Sequence, residues 1–227
     1  MTDFKTNIDP IEHLFAPLGG KALLDIGCGR GRLSRALIKR GAKMTGVDPQ
    51  AAMITLSQET APEATFKQAG GENLPFEDQT FDGAIILNSL HHVPENLLEG
   101  CLAEAMRVLK HGGVFLILEP LARGGYQAVF SPIDDETEVR AMALAKLDDF
   151  IARSGTEVVL RTEYETLVPE ESAETVLAGG LRVDPSRADL IDAKRTEVTQ
   201  LFQQHVRQTD RGPALDQPMI AIALKRS

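Results

Sequence analysis

Apolar positions along this chain alternate between two textures. Short, nearly unbroken apolar runs are followed by stretches in which apolar residues recur every three or four positions. Lys21 to Ile26 is the first such run, and Arg32 to Arg40 follows as a helix with Leu33, Ala36 and Leu37 on one face, closed by Gly41. Lys43 to Asp48 predicts a second strand, and Pro49 to Glu59 a helix with Met53 and Leu56 turned inward. Thr65 to Gln68 and Gly83 to Leu87 predict the third and fourth strands, and a helix from about Pro94 to Leu109 carries Leu97, Leu98, Leu102 and Met106 as its stripe. Gly112-Gly113 is expected to end that helix before the apolar fifth strand, Val114 to Leu118. Upstream, Asp9-Pro10 predicts the start of a short helix ending near Phe15, with Asp9 as its cap.

Beyond Pro120 the pattern loosens. Arg123-Gly124-Gly125-Tyr126 reads as a connection, and Asp134 to Ser154 as a helix with Ala141, Leu144, Leu147 and Ile151 in phase. Thr156 to Tyr164 reads as a sixth strand. A helix follows from near Pro169 to Gly179-Gly180, then a longer one from Asp184-Pro185-Ser186 to about Asp210. Met219 to Leu224 makes a last strand. Strands alternating with helices imply an α/β fold with a mostly parallel sheet. At 227 residues one domain, 1–227, is expected, with a ligand-binding core over 21–119 and a second half over 120–227. The helices of 169–210 exceed what one crossover needs, so they read as a cap over a pocket, with an oligomer interface or plain packing as the alternative.

Composition narrows the function classes. Twenty-four basic residues against 33 acidic ones give a net charge of −9, without a long basic run, so nucleic-acid binding is not expected. Cys28 and Cys101, far apart, make no disulfide framework. No apolar run has transmembrane length, and Met1-Thr2-Asp3-Phe4-Lys5 lacks the apolar core of a signal peptide. A soluble, cytoplasmic, acidic protein is the expectation, as a monomer or homodimer, without a membrane or metal partner.

The chemistry begins where the first strand ends. Asp25-Ile26-Gly27-Cys28-Gly29-Arg30-Gly31 turns from strand to helix through glycines at every second position. Such a loop lets a ligand approach main-chain N–H groups at a helix start. A dinucleotide fingerprint needs a glycine where Arg32 stands, so nicotinamide and flavin cofactors are disfavoured. Asp25 suits an ammonium group, directly or through water. Asp48, ending the next strand before Pro49, suits a ribose diol, or alternatively the N-cap of the following helix.

Four pieces in order then resemble the core of class I SAM-dependent methyltransferases (SAM, S-adenosyl-L-methionine), and more closely their type 11 small-molecule group. They are Leu24 to Gly31, Val47-Asp48-Pro49, Glu72-Asn73-Leu74-Pro75-Phe76 with Phe81-Asp82, and Glu104 to Lys110 with Gly112-Gly113. The resemblance covers residues 21 to about 119. It implies a Rossmann-like sheet of seven strands in the order 3-2-1-4-5-7-6, the last antiparallel, flanked by helices, with a helical insertion before the last strand. It implies further that Gly27, Cys28, Gly29 and Gly31, with Asp25, hold the methionine part of SAM. Asp48 and Pro49 meet the ribose, Met53, Gly71 and Glu72 lie near the adenine, and Asn88 meets the cofactor's amino group or the acceptor. Two positions depart from the family pattern. Gly70 stands where an adenine-binding aspartate is common, with Glu72 as a substitute, and His111 stands where proline is common.

His91 and His92 are the candidate general bases, with core packing or helix capping as their alternative roles. Methyl transfer from a sulfonium needs a base only when the nucleophile must lose a proton. Cys28 reads as a small packing residue. The leading expectation is an enzyme that methylates a small molecule by in-line displacement. A non-catalytic SAM-binding regulator, motivated by Gly70, is the alternative, and a methyltransferase acting on protein or nucleic acid is a third.

Overall fold

The structure, a computed structural model, describes residues 3–227. Met1 and Thr2, the first residues of the N-terminal stretch read above, lie outside the described residues. The strands form one sheet in the order β3-β2-β1-β4-β5-β8-β6, with a short β7 paired to β8. In sequence these are β1 (Ala22–Ile26), β2 (Lys43–Asp48), β3 (Thr65–Gln68), β4 (Phe81–Leu87), β5 (Leu109–Pro120), β6 (Glu157–Pro169), β7 (Arg207–Thr209) and β8 (Gly212–Lys225). The helices are α1 (Asp9–Phe15), α2 (Arg32–Ile38), α3 (Ala51–Thr60), α4 (Glu95–Arg107), α5 (Gly125–Phe130), α6 (Thr137–Ser154), α7 (Ala173–Val183) and α8 (Ala188–His205). The order matches the expected 3-2-1-4-5-7-6 once the extra β7 is counted: the expected seventh strand is β8, which is antiparallel.

Two compact units divide the chain. The first holds Asn7–Glu119, Met142–Thr162 and Ile220–Ser227. Its centre is the parallel ladder β3-β2-β1-β4-β5; β1, β4 and the second half of β5 are buried on both faces because helices flank the sheet, while the edge strand β3 buries only Phe66. Leu23, Leu24, Ile85, Ile86, Phe115 and Leu116 are fully buried there. Arg107, at the end of α4, explains one of the family-like pieces. Its guanidinium donates to Phe76 O (2.9 Å), Leu74 O (3.2 Å), Asp78 Oδ1 (2.7 Å) and Glu104 Oε1 (2.6 Å). Glu104 in turn accepts from Leu74 N at 2.9 Å. Asp82 accepts from Ala22 N at 2.8 Å and from Lys110 Nζ at 2.7 Å, fixing where β1 begins.

The second unit holds the N-terminal residues up to Thr6, Pro120–Ala141 and Glu163–Met219. Its core joins Val129 and Ile133 to Val176 and Leu177 of α7, Val198 and Phe202 of α8, and Leu215 of β8. Ser172 and Thr175 form a reciprocal capping box at the start of α7, which is why that helix begins at Ala173 and not near Pro169.

Several expected boundaries and faces differ. Asp9 lies inside α1, whose cap position is Ile8. Pro49 sits in the bend before α3, and α3 turns Ile54 and Ser57 inward; Met53 and Leu56 are only half-buried. The buried stripe of α4 is Leu98, Cys101, Leu102 and Ala105, one position round from the expected face. Gly112-Gly113 lies within β5, where Gly83 pairs with Val114 after a register shift and Gly112 N donates to Arg226 O. Gly179-Gly180 does not end α7, which continues to Val183 with Ile133, Ile191 and Phe130 packed close to Gly180. The last long helix stops at His205, because β7 and β8 form a hairpin through Arg207↔Ala214.

Replacing Arg107 with alanine removes the clamp on 74–78: Phe76 O loses its guanidinium donor, while Leu74 O keeps Phe76 N. Denaturant unfolding is expected to show a loss of about 1–3 kcal/mol. An unchanged midpoint would show the clamp to be idle.

Candidate cofactor site at the ends of β1, β2 and β4

The parallel register brings the carboxyl ends of β1, β2 and β4 side by side: Asp25 pairs with Gly46 and Ile85, and Ile26 with Val47 and Ile86. In such sheets the crevice beyond the strand ends is where ligands sit. The glycine loop closes on β2 through the main chain, with Gly27 N and Cys28 N both donating to Val47 O at 2.8 and 2.9 Å. Gly27, Gly29 and Gly31 all have positive φ (72°, 50° and 73°), a region that L side chains rarely adopt. At Gly27 space forbids a side chain as well, since an added Cβ would stand 2.4 Å from Ser89 Oγ. Above Gly29 nothing lies within 4 Å, so the backbone there is open to a ligand.

Asp48 ties the loop to the second strand. Its Oδ2 accepts from Gly29 N at 3.0 Å and its Oδ1 from Gln50 N at 2.9 Å. α3 has no side-chain cap, so the capping alternative for Asp48 is replaced by a tight turn onto Gln50. Each carboxylate oxygen still has a lone pair to offer.

Asp25 is only 2 % exposed, and Ser34 Oγ donates to its Oδ2 at 2.8 Å. Burial raises its pKa from 3.8 to about 6; the Ser34 hydrogen bond pulls the other way, and the nearby charge of Asp48 adds to the rise. A buried carboxylate held this high lacks a compensating positive charge. The site therefore fits a cationic group.

The other expected residues fall around this centre. Cys28 is buried with Ile54, Ala61 and Phe66, and burial pushes its thiol well above the usual range, so it is a neutral packing group. Gly71 lies against Cys101, whose Sγ would be 2.5 Å from an added Cβ. Glu72 is half-buried, and its carboxylate oxygens lie 2.3 and 2.4 Å from where a Cβ on Gly70 would be. Glu72 thus fills the space that the missing side chain at 70 leaves. Asn88 has φ 53°, which asparagine tolerates better than most residues, and its side chain is exposed. His91 is buried and His92 exposed, with ring centroids 4.1 Å apart.

Two site residues escaped the sequence reading. Glu119, 1 % exposed near the end of β5, accepts from Ser89 N (3.0 Å) and Leu90 N (2.9 Å) and meets His91 Nδ1. Ser89 Oγ donates to Ile26 O at 3.1 Å. The signal for Glu119 was available: like Asp25 and Asp48, it is an acid at the end of an apolar strand.

Residues 23–113 match a family model described as "Methyltransferase domain". This segment belongs to that family. The ubiquinone/menaquinone biosynthesis C-methyltransferase UbiE of Campylobacter jejuni is 33 % identical over 115 residues, 47 % of this chain and 48 % of that protein. The ubiquinone biosynthesis O-methyltransferase of Pseudomonas putida is 36 % identical over 105 residues, 43 % of this chain and 44 % of that protein. The chain spans about half the length of the curated relatives it matches. A geranyl diphosphate methyltransferase solved with SAM shares the fold, with a TM-score of 0.56 at 18 % identity over 95 % of this chain and 82 % of that one. Among the described residues, no helix is long and apolar enough to cross a membrane.

Asp25 is unfavourable to stability when ionised. Below its ordinary pKa of 3.8 the buried carboxyl is protonated in both folded and unfolded chains and costs nothing. Stability is lost as pH rises from there through about 6, on the order of 3 kcal/mol in all. Asp25→Asn is therefore expected to stabilise the ligand-free protein more at pH 8 than at pH 5, read by denaturant unfolding; an equal effect at both would mean that folding does not raise the pKa of Asp25.

Proposed function

We propose that this protein is a SAM-dependent methyltransferase acting on a small molecule. One observation carries the reading: Gly29 N–H binds the Asp48 carboxylate, so the open glycine loop and the acid of the second strand form one pocket edge. Asp25 and the main chain of Gly27 to Gly31 hold the methionine part. Asp48, beside Pro49, accepts from the ribose hydroxyls. Gly71, Glu72 and Met53 lie on the adenine side, and Asn88 on the side of the amino group or acceptor. When bound, SAM supplies a methyl group on an electrophilic sulfonium.

The protein's part is alignment, charge and exclusion of water. Buried Asp25 offers a full negative charge to an ammonium group, and the rigid loop fixes the approach of sulfur relative to the acceptor, as in-line displacement requires. Glu72 lies in the space beside Gly70, which supports its standing in for the usual acid there and favours an enzyme over a regulator without activity. The relatives include both a C- and an O-methyltransferase, so they leave the acceptor atom open. The helices α7 and α8 lie outside the family match and are the chain's candidate for acceptor selection, as a cap over 169–210. Both cysteines are free and buried, which supports a cytoplasmic setting.

S-adenosylhomocysteine at millimolar concentration is expected to raise the melting temperature, and Asp48→Ala to weaken its binding by at least about tenfold in calorimetry. If wild type shows no thermal shift, the cofactor reading fails. A second outcome follows from Asp25. Near pH 6 about half of its carboxyls carry a proton, and an ammonium beside it expels that proton. Calorimetry in buffers of different ionisation heat should show proton release on binding, absent in Asp25→Asn; the same release from both proteins would remove Asp25 from the site.

A further inference from the structure

Asp25 answers only half of what an amino-acid end presents. Its carboxylate suits the ammonium group, but the carboxylate on the same carbon is then carried towards two buried acids, Asp25 and Asp48. Like charges repel strongly where water is excluded, so a site built for that end needs a cation as well. The N–H groups of the loop are largely spent. Gly27 N and Cys28 N donate to Val47 O, Gly29 N to Asp48 Oδ2 and Gly31 N to Cys28 O.

Arg30 can supply that cation. It stands at the third position of a turn closed by Gly31 N on Cys28 O, next to Gly29, whose outer face is open. Asp48 pins the same turn through Gly29 N. The Arg30 side chain is exposed, and among the described residues it has no acceptor. Other arginines of this unit are taken: Arg40 by Glu12, Arg107 by Glu104 and Asp78, Arg161 by Asp148. Arg35 lies along a groove with Glu59 and Glu63, at the end of α3 away from Asp48. Arg32, exposed in the first turn of α2, is the natural control.

We propose that Arg30 is the partner of the carboxylate at the cofactor's amino-acid end, so that Asp25 and Arg30 together make the site select a zwitterion. The inference rests on the cofactor reading above. A guanidinium presents two parallel N–H groups to a carboxylate, and it stays charged at every working pH. With both charges met, the site distinguishes SAM from its decarboxylated form, which keeps only the ammonium, and from a methylthio nucleoside, which has neither group. Arg30 acts on binding and specificity and takes no part in bond making.

Calorimetry with three ligands tests this: S-adenosylhomocysteine, its decarboxylated analogue and 5′-methylthioadenosine. Wild type is expected to bind S-adenosylhomocysteine at least about tenfold more tightly than the decarboxylated analogue. In Arg30→Ala that preference should fall to within about threefold, through loss of S-adenosylhomocysteine affinity alone. Arg32→Ala should keep the wild-type preference. Because Arg30 is exposed, Arg30→Ala should melt at the wild-type temperature without ligand, which shows the chain still folded. Equal wild-type affinities for the first two ligands, an unchanged preference in Arg30→Ala, or a preference lost in Arg32→Ala instead overturns the inference. Equal weakening of all three ligands in Arg30→Ala also overturns it, since Arg30 would then only prop the loop. Failure of wild type to bind any of the three counts against the cofactor reading itself.

Discussion

The candidate site depends on the hydrogen bond from Gly29 N to Asp48 Oδ2, together with the two N–H groups of Gly27 and Cys28 on Val47 O. These bonds fold the loop after β1 back onto the end of β2. Without them a glycine-rich turn would sample many conformations, since glycine loses more backbone entropy on ordering than any other residue. With them, the open face above Gly29, the buried charge of Asp25 and the carboxylate of Asp48 are held as one surface. The close approach of Ser89 to Gly27 extends that surface to the end of β4.

Three acids near strand ends, Asp25, Asp48 and Glu119, are all nearly inaccessible. Burial of like charges in one region is costly, and the three are satisfied in different ways. Asp48 is stabilised by two backbone N–H groups. Glu119 has two such groups and an imidazole. Asp25 has only the hydroxyl and main-chain N–H of Ser34, and its raised pKa records burial that these do not offset. The least satisfied acid is thus the one suited to a cationic ligand, and the best satisfied one serves to hold the β4–α4 turn.

Much of the sheet was legible because parallel strands buried on both faces read as unbroken apolar runs. The glycine spacing and the acids at 25 and 48 were legible for a similar reason: their chemistry is local to one strand–loop–helix unit. Helix faces and ends were less so. The stripe of α4 includes Cys101 and Ala105, small residues that hydropathy alone underweights, and the two glycine pairs at 112 and 179 were mistaken for stops. Glycine caps a helix where the backbone turns to positive φ; Gly112 does so, at 74°, but inside β5 after α4 has ended, and Gly180 stays helical.

By itself, the sequence determined the alternation of strands and helices from β1 to β5, the loop from Asp25 to Gly31 and the acid at 48 that ends β2, but not α5, which begins inside the expected connection, nor β7. Those features follow from periodicity, from glycine's backbone freedom and from a polar residue placed where an apolar run stops. Tertiary structure alone decided that Glu119 meets His91, that Glu72 occupies the space beside Gly70, and that Arg107 clamps the segment from Leu74 to Asp78. The Glu119 and Arg107 contacts join residues about thirty positions apart, brought together by the crossover between β4 and β5. The contact at Gly70 is local, but it depends on which way a flexible side chain turns, and no spacing rule encodes that.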